Sequence, residues 1–269
     1  MRWSRRVRAS ARGKVVQAVQ DAVAREADRR HSELVDILRG QAKTIADLQE
    51  SISTLEFRMR RDIPFASDIE ATASTADFVE QHMPRTRSFT HPNLTLRHAL
   101  NAVSIDGMAL EFGVASGDTL TTIVDEWTRA ANVGVVVGFD TFTGLPETWR
   151  TGFDEGMFAQ DSLPDVPGAH LVKGTFQQTL GPFLSKNHGP VAFLHLDADL
   201  YSSTDFVLRR LESRLAPGTV IVFDEFFNFP GWAAHEYRAW TEFVARTGVT
   251  FEYLAYTSNG EQVAVKLTA

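Results

Sequence analysis

Five acidic residues could carry chemistry in this chain: Glu111, Asp140, Asp197 and the adjacent pair Asp224-Glu225. Each ends an apolar run of the kind that forms a buried strand. Core packing does not ask for carboxylates there, and a carboxylate at a strand end is costly unless something pairs with it. Asp140 suits a ribose diol, because one carboxylate accepts two hydroxyl hydrogen bonds. Glu111 suits an ammonium or amide partner. Asp197, Asp224 and Glu225 form a hard-oxygen set. Brought together they repel one another unless a divalent cation joins them, and Mg²⁺, Mn²⁺ or Ca²⁺ is the natural choice. The alternative is structural: Asp224 begins a turn, and Asp199 caps a helix from Ser203.

These acids need elements to hold them. Around Glu111 the sequence reads strand, glycine turn, helix. Met108–Phe112 is apolar but for Glu111, Gly113 and Gly117 bracket a turn, and Leu120, Ile123, Val124 and Trp127 recur at helical spacing. Further strands are expected at Val133–Phe139, His170–Lys173, Val191–Leu196 and Thr219–Phe223. Helices are expected at Phe176–Leu184, Ser203–Leu215 and about Ala233–Thr247, with a Pro217-Gly218 turn between the second helix and the last of these strands. Residues 147–168 carry Gly, Pro and Asp and read as an irregular excursion. Thr250–Tyr256 and Gln262–Leu267, joined through Asn259-Gly260, read as a closing hairpin. The alternation predicts an α/β fold, a doubly wound and mostly parallel sheet with an antiparallel C-terminal hairpin. In such sheets ligands bind outside the carboxyl ends of the strands, where the acids stand.

Upstream, residues 15–62 lack Gly and Pro except Gly40 and read as helix, which Pro64 ends. Leu34, Leu38, Ile45, Leu48, Ile52, Leu55 and Met59 make a heptad seam with one miss at Gln41. The seam suits a homo-oligomer joined through this helix; packing against the main domain is the other arrangement it allows. Residues 66–82, with Ile69, Ala73, Phe78 and Val79 apolar, read as a short helix. Arg85–Pro92 reads as a polar connector, and Asn93–Val103 as a helix with Leu94, Leu96, Leu100 and Val103 inward. The two helices suit a lid or a brace.

The chain has no cysteine, which excludes disulfides, thiolate catalysis and cysteine-bound metal and accords with a cytoplasmic protein. No apolar run approaches the roughly 20 residues of a transmembrane helix. The start, Met1-Arg-Trp-Ser-Arg-Arg, has no apolar core region and reads as no secretory signal; its Arg-rich, acid-poor character also matches a transit peptide. Residues 1–62 hold 14 Lys/Arg and 9 Asp/Glu, which leaves −12 on the rest of a chain of net charge −7. A domain that acidic is a poor partner for nucleic acid. The first 14 residues carry only positive charges and suit either a solvated end or contact with phosphate or anionic lipid.

Four motifs together resemble a known family. Glu111-Phe-Gly-Val-x-x-Gly, Asp140-x-Phe-x-Gly-Leu-Pro146, Leu196-Asp-Ala-Asp-Leu-Tyr-Ser-Ser-Thr204 and Pro217-Gly218 with Phe223-Asp-Glu225 are similar to those of class I S-adenosylmethionine-dependent methyltransferases. They most resemble the macrocin O-methyltransferase branch, which methylates sugar hydroxyls of antibiotics with a divalent metal. The likeness spans roughly residues 85–267. It leaves the coiled N-terminus outside, so the chain is expected to divide into a helical, coiled-coil extension at 1–62, a helical lid or brace at 63–107, and a cofactor-binding domain at 108–269. The likeness implies that Glu111, Gly113, Ser116 and Gly117 bind the methionine end of S-adenosylmethionine. Asp140 would hold the ribose, and Phe142, Gly174 and Thr175 would lie by the adenine. Asp197, Asp224 and Glu225 would hold Mg²⁺ or Mn²⁺, with Asp197 beside the cofactor and serving as general base. The branch usually has Asp-Asp where this chain has Asp224-Glu225, and residues 226–236 also differ, so the acceptor does not carry over beyond a small-molecule or glycan hydroxyl.

Other residues bear on the reading. His235 follows the metal-site loop and is a candidate for catalysis or acceptor binding. His195, inside a strand, reads as a core histidine. Phe226, Phe227, Phe229 and Trp232 suit either an apolar lip over an acceptor or the core. An NAD-dependent oxidoreductase would use the same turn and Asp140, but Ala115 and Asp118 stand where Gly-x-Gly-x-x-Gly needs glycine. A non-catalytic coiled-coil scaffold is the remaining alternative, against which the intact carboxylates speak.

Overall fold

The computed structural model describes residues 2–150 and 152–269, with side chains from Gly13 onward. The chain divides into two compact units, Met1–Ala66 and Ser67–Ala269. The first is dominated by one continuous helix, α1 (Arg2–Arg61). Its seam residues Leu34, Leu38, Ile45, Leu48, Ile52, Leu55 and Met59 are 52–70% exposed. Most of the all-cationic start falls on side chains outside the described residues. Pro64 does not terminate α1. It sits in the first turn of α2 (Ile63–His82), where a missing N–H costs nothing, and Asp62 Oδ1 caps that turn by accepting the Phe65 N–H at 3.1 Å.

The second unit is built on β1 (Arg87–Phe89), α3 (Pro92–Asn101), β2 (Met108–Phe112), α4 (Asp118–Arg129), β3 (Val136–Asp140), β4 (Ala169–Lys173), α5 (Phe176–Lys186), β5 (Val191–Leu196), α6 (Tyr201–Leu211), β6 (Leu215–Phe223), α7 (Glu236–Thr247), β7 (Phe251–Thr257) and β8 (Val263–Leu267). The eight strands form one sheet in the order β1-β7-β8-β6-β5-β2-β3-β4, in which β8 alone runs antiparallel. Strand order reverses between β2 and β5, the switch point at which doubly wound sheets open a ligand crevice.

The sheet separates two apolar layers because side chains alternate along each strand. Leu110, Phe112, Phe139, Leu194, Leu196 and Phe223 pack on the face that carries α6 and α7, and the Phe112 and Phe139 rings stack at 4.8 Å. Ala109, Val136, Phe193, Val220 and Val222 pack on the opposite face with Leu96, Leu100, Leu120 and Ile123 of α3 and α4.

Several expectations shift. The connector at 85–92 contains a strand, β1, which pairs in parallel with β7 at the sheet edge. The strand expected from Val133 starts at Val136, because Gly134 has φ +133 and lies against Gly107. Pro217-Gly218 falls inside β6 as a bulge rather than before it: the pairing register with β5 shifts there, and Thr219 Oγ1 bridges the Ala216 N–H and the Val191 carbonyl. The last helix begins only at Glu236, after a short 3₁₀ turn at Trp232–Ala234. Leu94 and Ile69 point outward, at 47% and 53% exposure, and Ala73 is exposed too. Ala71, Thr75 and Phe78 form the inward face of α2 instead. Among the described residues no helix is long and apolar enough to cross a membrane.

Candidate active site

The carboxyl ends of β2, β3, β5 and β6 finish side by side. The Gly113 N–H reaches Phe139 O at 2.9 Å, the Asp197 N–H reaches Phe112 O at 2.9 Å, and the Asp224 N–H reaches Leu196 O at 2.8 Å. Above them opens a cavity of about 630 Å³. Gly113, Ser116, Asp140, Thr175, Asp197, Asp199, Asp224 and Glu225 all line it.

The turn after β2 requires glycine. Gly113 has φ +92, and a Cβ there would stand 1.7 Å from the Asp197 carbonyl oxygen. Gly117 (φ +86) starts α4, and a Cβ on it would press on Val166 at 2.8 Å. Asp140 ties this turn down. Its Oδ2 accepts the N–H groups of Val114 and Ala115 at 2.8 and 2.9 Å, and its Oδ1 accepts that of Phe142 at 2.6 Å. Asp140 is therefore an organiser of the turn, a role its sequence position did not announce. Ser116 Oγ donates to Asp118 Oδ2 at 2.8 Å, and Thr175 caps α5.

Four expected cofactor residues do not line the cavity. Glu111 is fully buried and does not line the cavity. It shares the face of Ala109, and its Oε1 lies 3.1 Å from His195 Nδ1 on the neighbouring strand. Phe142, with φ +57, turns its ring into the layer that holds Val114 and Leu120, so it is a core residue and not an adenine wall. Gly174 and Gly117 shape the adjoining turns without lining the cavity.

The carboxylate group also differs from expectation. Asp197, Asp199 and Glu225 each offer an oxygen, and these oxygens lie within 4.8 Å of one another; Asp224 is not the third member. The chain beyond both strand ends is bent rather than extended, and Asp199 takes a left-handed φ of +57, so strand alternation does not decide which acids meet. Asp224 Oδ1 instead lies 3.7 Å from His195 Nε2, and its Oδ2 accepts from Gln262 Nε2 at 3.3 Å. The Asp-x-Asp spacing was the signal for Asp199.

Charge in the group follows from crowding. Burial, then the nearby Asp224, pushes the Asp197 and Glu225 carboxyls well above the usual carboxylate range, and the same causes push Asp199 up to about 7. Glu225 Oε2 is buried without a hydrogen-bond partner among the described residues. Glu236 is fully buried and fixes the Glu225 main chain, accepting its N–H at 3.1 Å and the Thr204 hydroxyl at 3.0 Å; burial raises it to about 8. Burial opposes a charge on His195, but Asp224 and Glu111 on either side outweigh it and raise the imidazole well above its ordinary value. The histidine is a buried link between two acids, as the core reading expected.

The excursion after β3 supplies the remaining wall, with Leu145, Trp149, Arg150, Phe153 and Phe158. His235 is not part of it. Its ring packs behind, 6.2 Å from Trp149 and 5.6 Å from Phe229, which sets it away from the carboxylates as a base. Phe226, Phe227 and Phe229 are buried core residues and form no lip.

Residues 110–226 match the family model described as "Methyltransferase domain". No curated protein matches the chain. Among solved structures it is similar to CalS11, a calicheamicin methyltransferase, with 22% identity over 81% of this chain and 91% of that one and a TM-score of 0.53. It is also similar to the O-methyltransferase NovP, with 19% identity over 66% of this chain and 79% of that one and a TM-score of 0.52. At these identities the likeness is one of fold, and the fold is the one described above. The chain thus carries, over residues 110–226, a match to a methyltransferase domain, set in a doubly wound sheet of the fold these solved methyltransferases share.

Proposed function

We propose that the domain moves a methyl group from S-adenosylmethionine to a hydroxyl of a sugar or glycosylated small molecule, with Mg²⁺ or Mn²⁺ held by Asp197, Asp199 and Glu225. The observation that carries this reading is the meeting of the Gly113 turn and the three-carboxylate group in one cavity at the β2/β5 switch point. The O-methylation is taken from the named activity of NovP and the macrocin-like motifs; the fold likeness by itself does not reach an acceptor.

The donor set is all hard oxygen, and a cation would satisfy the buried Oε2 of Glu225, so the residues suit a divalent ion. A cation there would supply the positive charge that eases removal of a hydroxyl proton. S-adenosylmethionine, when bound, supplies a methyl group on a sulfonium that leaves without protonation. The side chains do the rest. Asp140 keeps the turn open so that the main chain at Val114 and Ala115 can approach a ligand closely. Asp197, raised by burial, is the carboxylate placed to take the proton as the acceptor oxygen bonds to the methyl carbon and the sulfur–carbon bond breaks. Trp149 and Phe153 shield that step from water. Incubation with methyl-labelled S-adenosylmethionine and a panel of glycosides tests the reading. Labelled product should form, stop in excess chelator and return with Mg²⁺ or Mn²⁺; product that persists in chelator removes the cation from the account.

The same reading takes α1 as a self-association helix. Leu38, Ile45, Ile52 and Met59 fall at one set of seam positions and Leu34, Gln41, Leu48 and Leu55 at the other, and the Ile45–Leu48 and Ile52–Leu55 layers suit a parallel two-stranded coil.

A further inference from the structure

Among the described residues that line the cavity, Arg150 is the one cation, and the other charged walls are acidic, Asp140, Glu147, Asp199 and Glu225 among them. It is held unusually firmly. Its guanidinium carbon lies 4.0 Å from the Trp149 ring centroid, 4.5 Å from that of Phe229 and 4.7 Å from that of Phe153. The segment that carries it is a closed turn, with the Trp149 N–H on Phe153 O at 3.0 Å and the Phe153 N–H on Arg150 O at 2.8 Å. Glu261 Oε1 takes one donor, Nη1, at 3.2 Å. The Nε donor is buried and has no partner among the described residues.

A counter-ion for Glu261 needs one of the five guanidinium donors. It does not need three aromatic faces or an idle donor on the other edge of the fork. That edge, Nε with Nη2, is the one that grips a carboxylate or a phosphate through two parallel hydrogen bonds. The rings fix the rotamer beforehand, so little side-chain entropy remains to be lost when an anion arrives. A neutral sugar hydroxyl gains less from such a mount than an oxyanion, which takes two charge-assisted bonds, and an acid-lined cavity without it repels anions.

We infer that Arg150 is an acceptor-binding residue that selects acceptors bearing an oxyanion, a phosphate or a carboxylate, beside the hydroxyl to be methylated. The word acceptor rests on the methyl-transfer reading above; the anion preference rests on the Arg150 geometry alone. The phosphate and carboxylate forms share one recognition chemistry and are separated by the probes.

The test uses the full chain with saturating S-adenosylhomocysteine and constant Mg²⁺, and measures binding of glucose, glucose 1-phosphate and glucuronate by saturation-transfer NMR and calorimetry. Wild type should bind glucose 1-phosphate or glucuronate at least about tenfold more tightly than glucose, and the favoured probe names the anion. In Arg150→Gln that preference should fall to within about threefold with S-adenosylhomocysteine affinity unchanged. If Arg150→Gln does not fold, Arg150→Lys carries the comparison. It keeps the charge without the fork, and the preference should still drop by about threefold or more. Equal or absent binding of all three sugars to wild type overturns the inference, as does a preference that survives in the variant, which would assign it to the cation. Failure of wild type to bind S-adenosylhomocysteine contradicts the methyl-transfer reading instead, and the sugar comparison then stands by itself.

Discussion

The backbone carbonyl of Asp197 occupies the space in which a side chain at Gly113 would begin, 1.7 Å from the position of a Cβ. The glycine that lets the main chain face a ligand is thus also the residue that lets β5 deliver Asp197 to the cavity. Gly113→Ala must displace one of the two strand ends and hold an unfavourable φ of +92 as well. It should cost about 3 kcal/mol in denaturant unfolding and remove methyl transfer. Gly231→Ala is the control: its φ is +81 with nothing within 4 Å of the added carbon, so it should cost only about 1 kcal/mol. Equal costs would mean that the contact with Asp197 does not matter.

Asp199 and Asp224 should separate in a cation titration. Asp199 shares the carboxylate group with Asp197 and Glu225, while Asp224 faces His195 and Gln262. At a cation concentration about a hundredfold above Kd, binding should stabilise wild type by about 2.7 kcal/mol. Asp199→Asn should weaken apparent Mn²⁺ affinity by about tenfold or more in thermal melts, and Asp224→Asn by about threefold or less. The reverse order would return Asp224 to the set of ligands.

The difference between these two aspartates marks how far the sequence could be read. The apolar runs at Met108–Phe112 and Val191–Leu196 are buried at every position and are legible because a strand covered on both faces must be apolar throughout. The acids at their ends followed directly. Which acids meet depends on the bends beyond the strand ends, and the positive φ of Asp199, +57, is local geometry that no periodicity records. Phe142 turns inward for the same kind of reason. β1 was missed because three residues with two polar side chains, at a sheet edge, carry no repeating pattern. Arg150 was invisible because its significance lies in a local turn that sets it against Trp149 and Phe153 and brings up the distant Phe229 ring.

Glu126 gives a pH dependence away from the site. The Arg129 guanidinium, with Arg97 on the other side, holds its carboxyl below the usual glutamate range. A carboxylate whose folded pKa is lowered stabilises the fold above its ordinary value near 4.5, and that contribution is lost as pH falls through the folded value. Glu126→Gln should therefore cost about 1 kcal/mol at pH 7, and the cost should vanish below the glutamate range. A cost that is constant with pH would mean that packing, not charge, is what the substitution removes.

Removal of residues 1–62 tests the helix. The exposed seam from Leu34 to Met59 predicts that light scattering gives fewer subunits per particle for the shortened chain, with the S-adenosylhomocysteine affinity retained. The same number of subunits before and after would move the interface elsewhere.

Calorimetric titration of the cofactor into wild type and Asp140→Ala shows whether the cavity at the β2/β5 switch point binds S-adenosylmethionine. Asp140 accepts three main-chain N–H groups of the turn and lines the cavity, so its loss removes both the frame and any hydroxyl contact. Wild type should show saturable binding at one site per chain, displaced by S-adenosylhomocysteine. Asp140→Ala should bind at least about tenfold more weakly, as expected when charge-assisted hydrogen bonds are lost. No saturable heat with wild type, or an affinity unchanged in Asp140→Ala, would contradict the account.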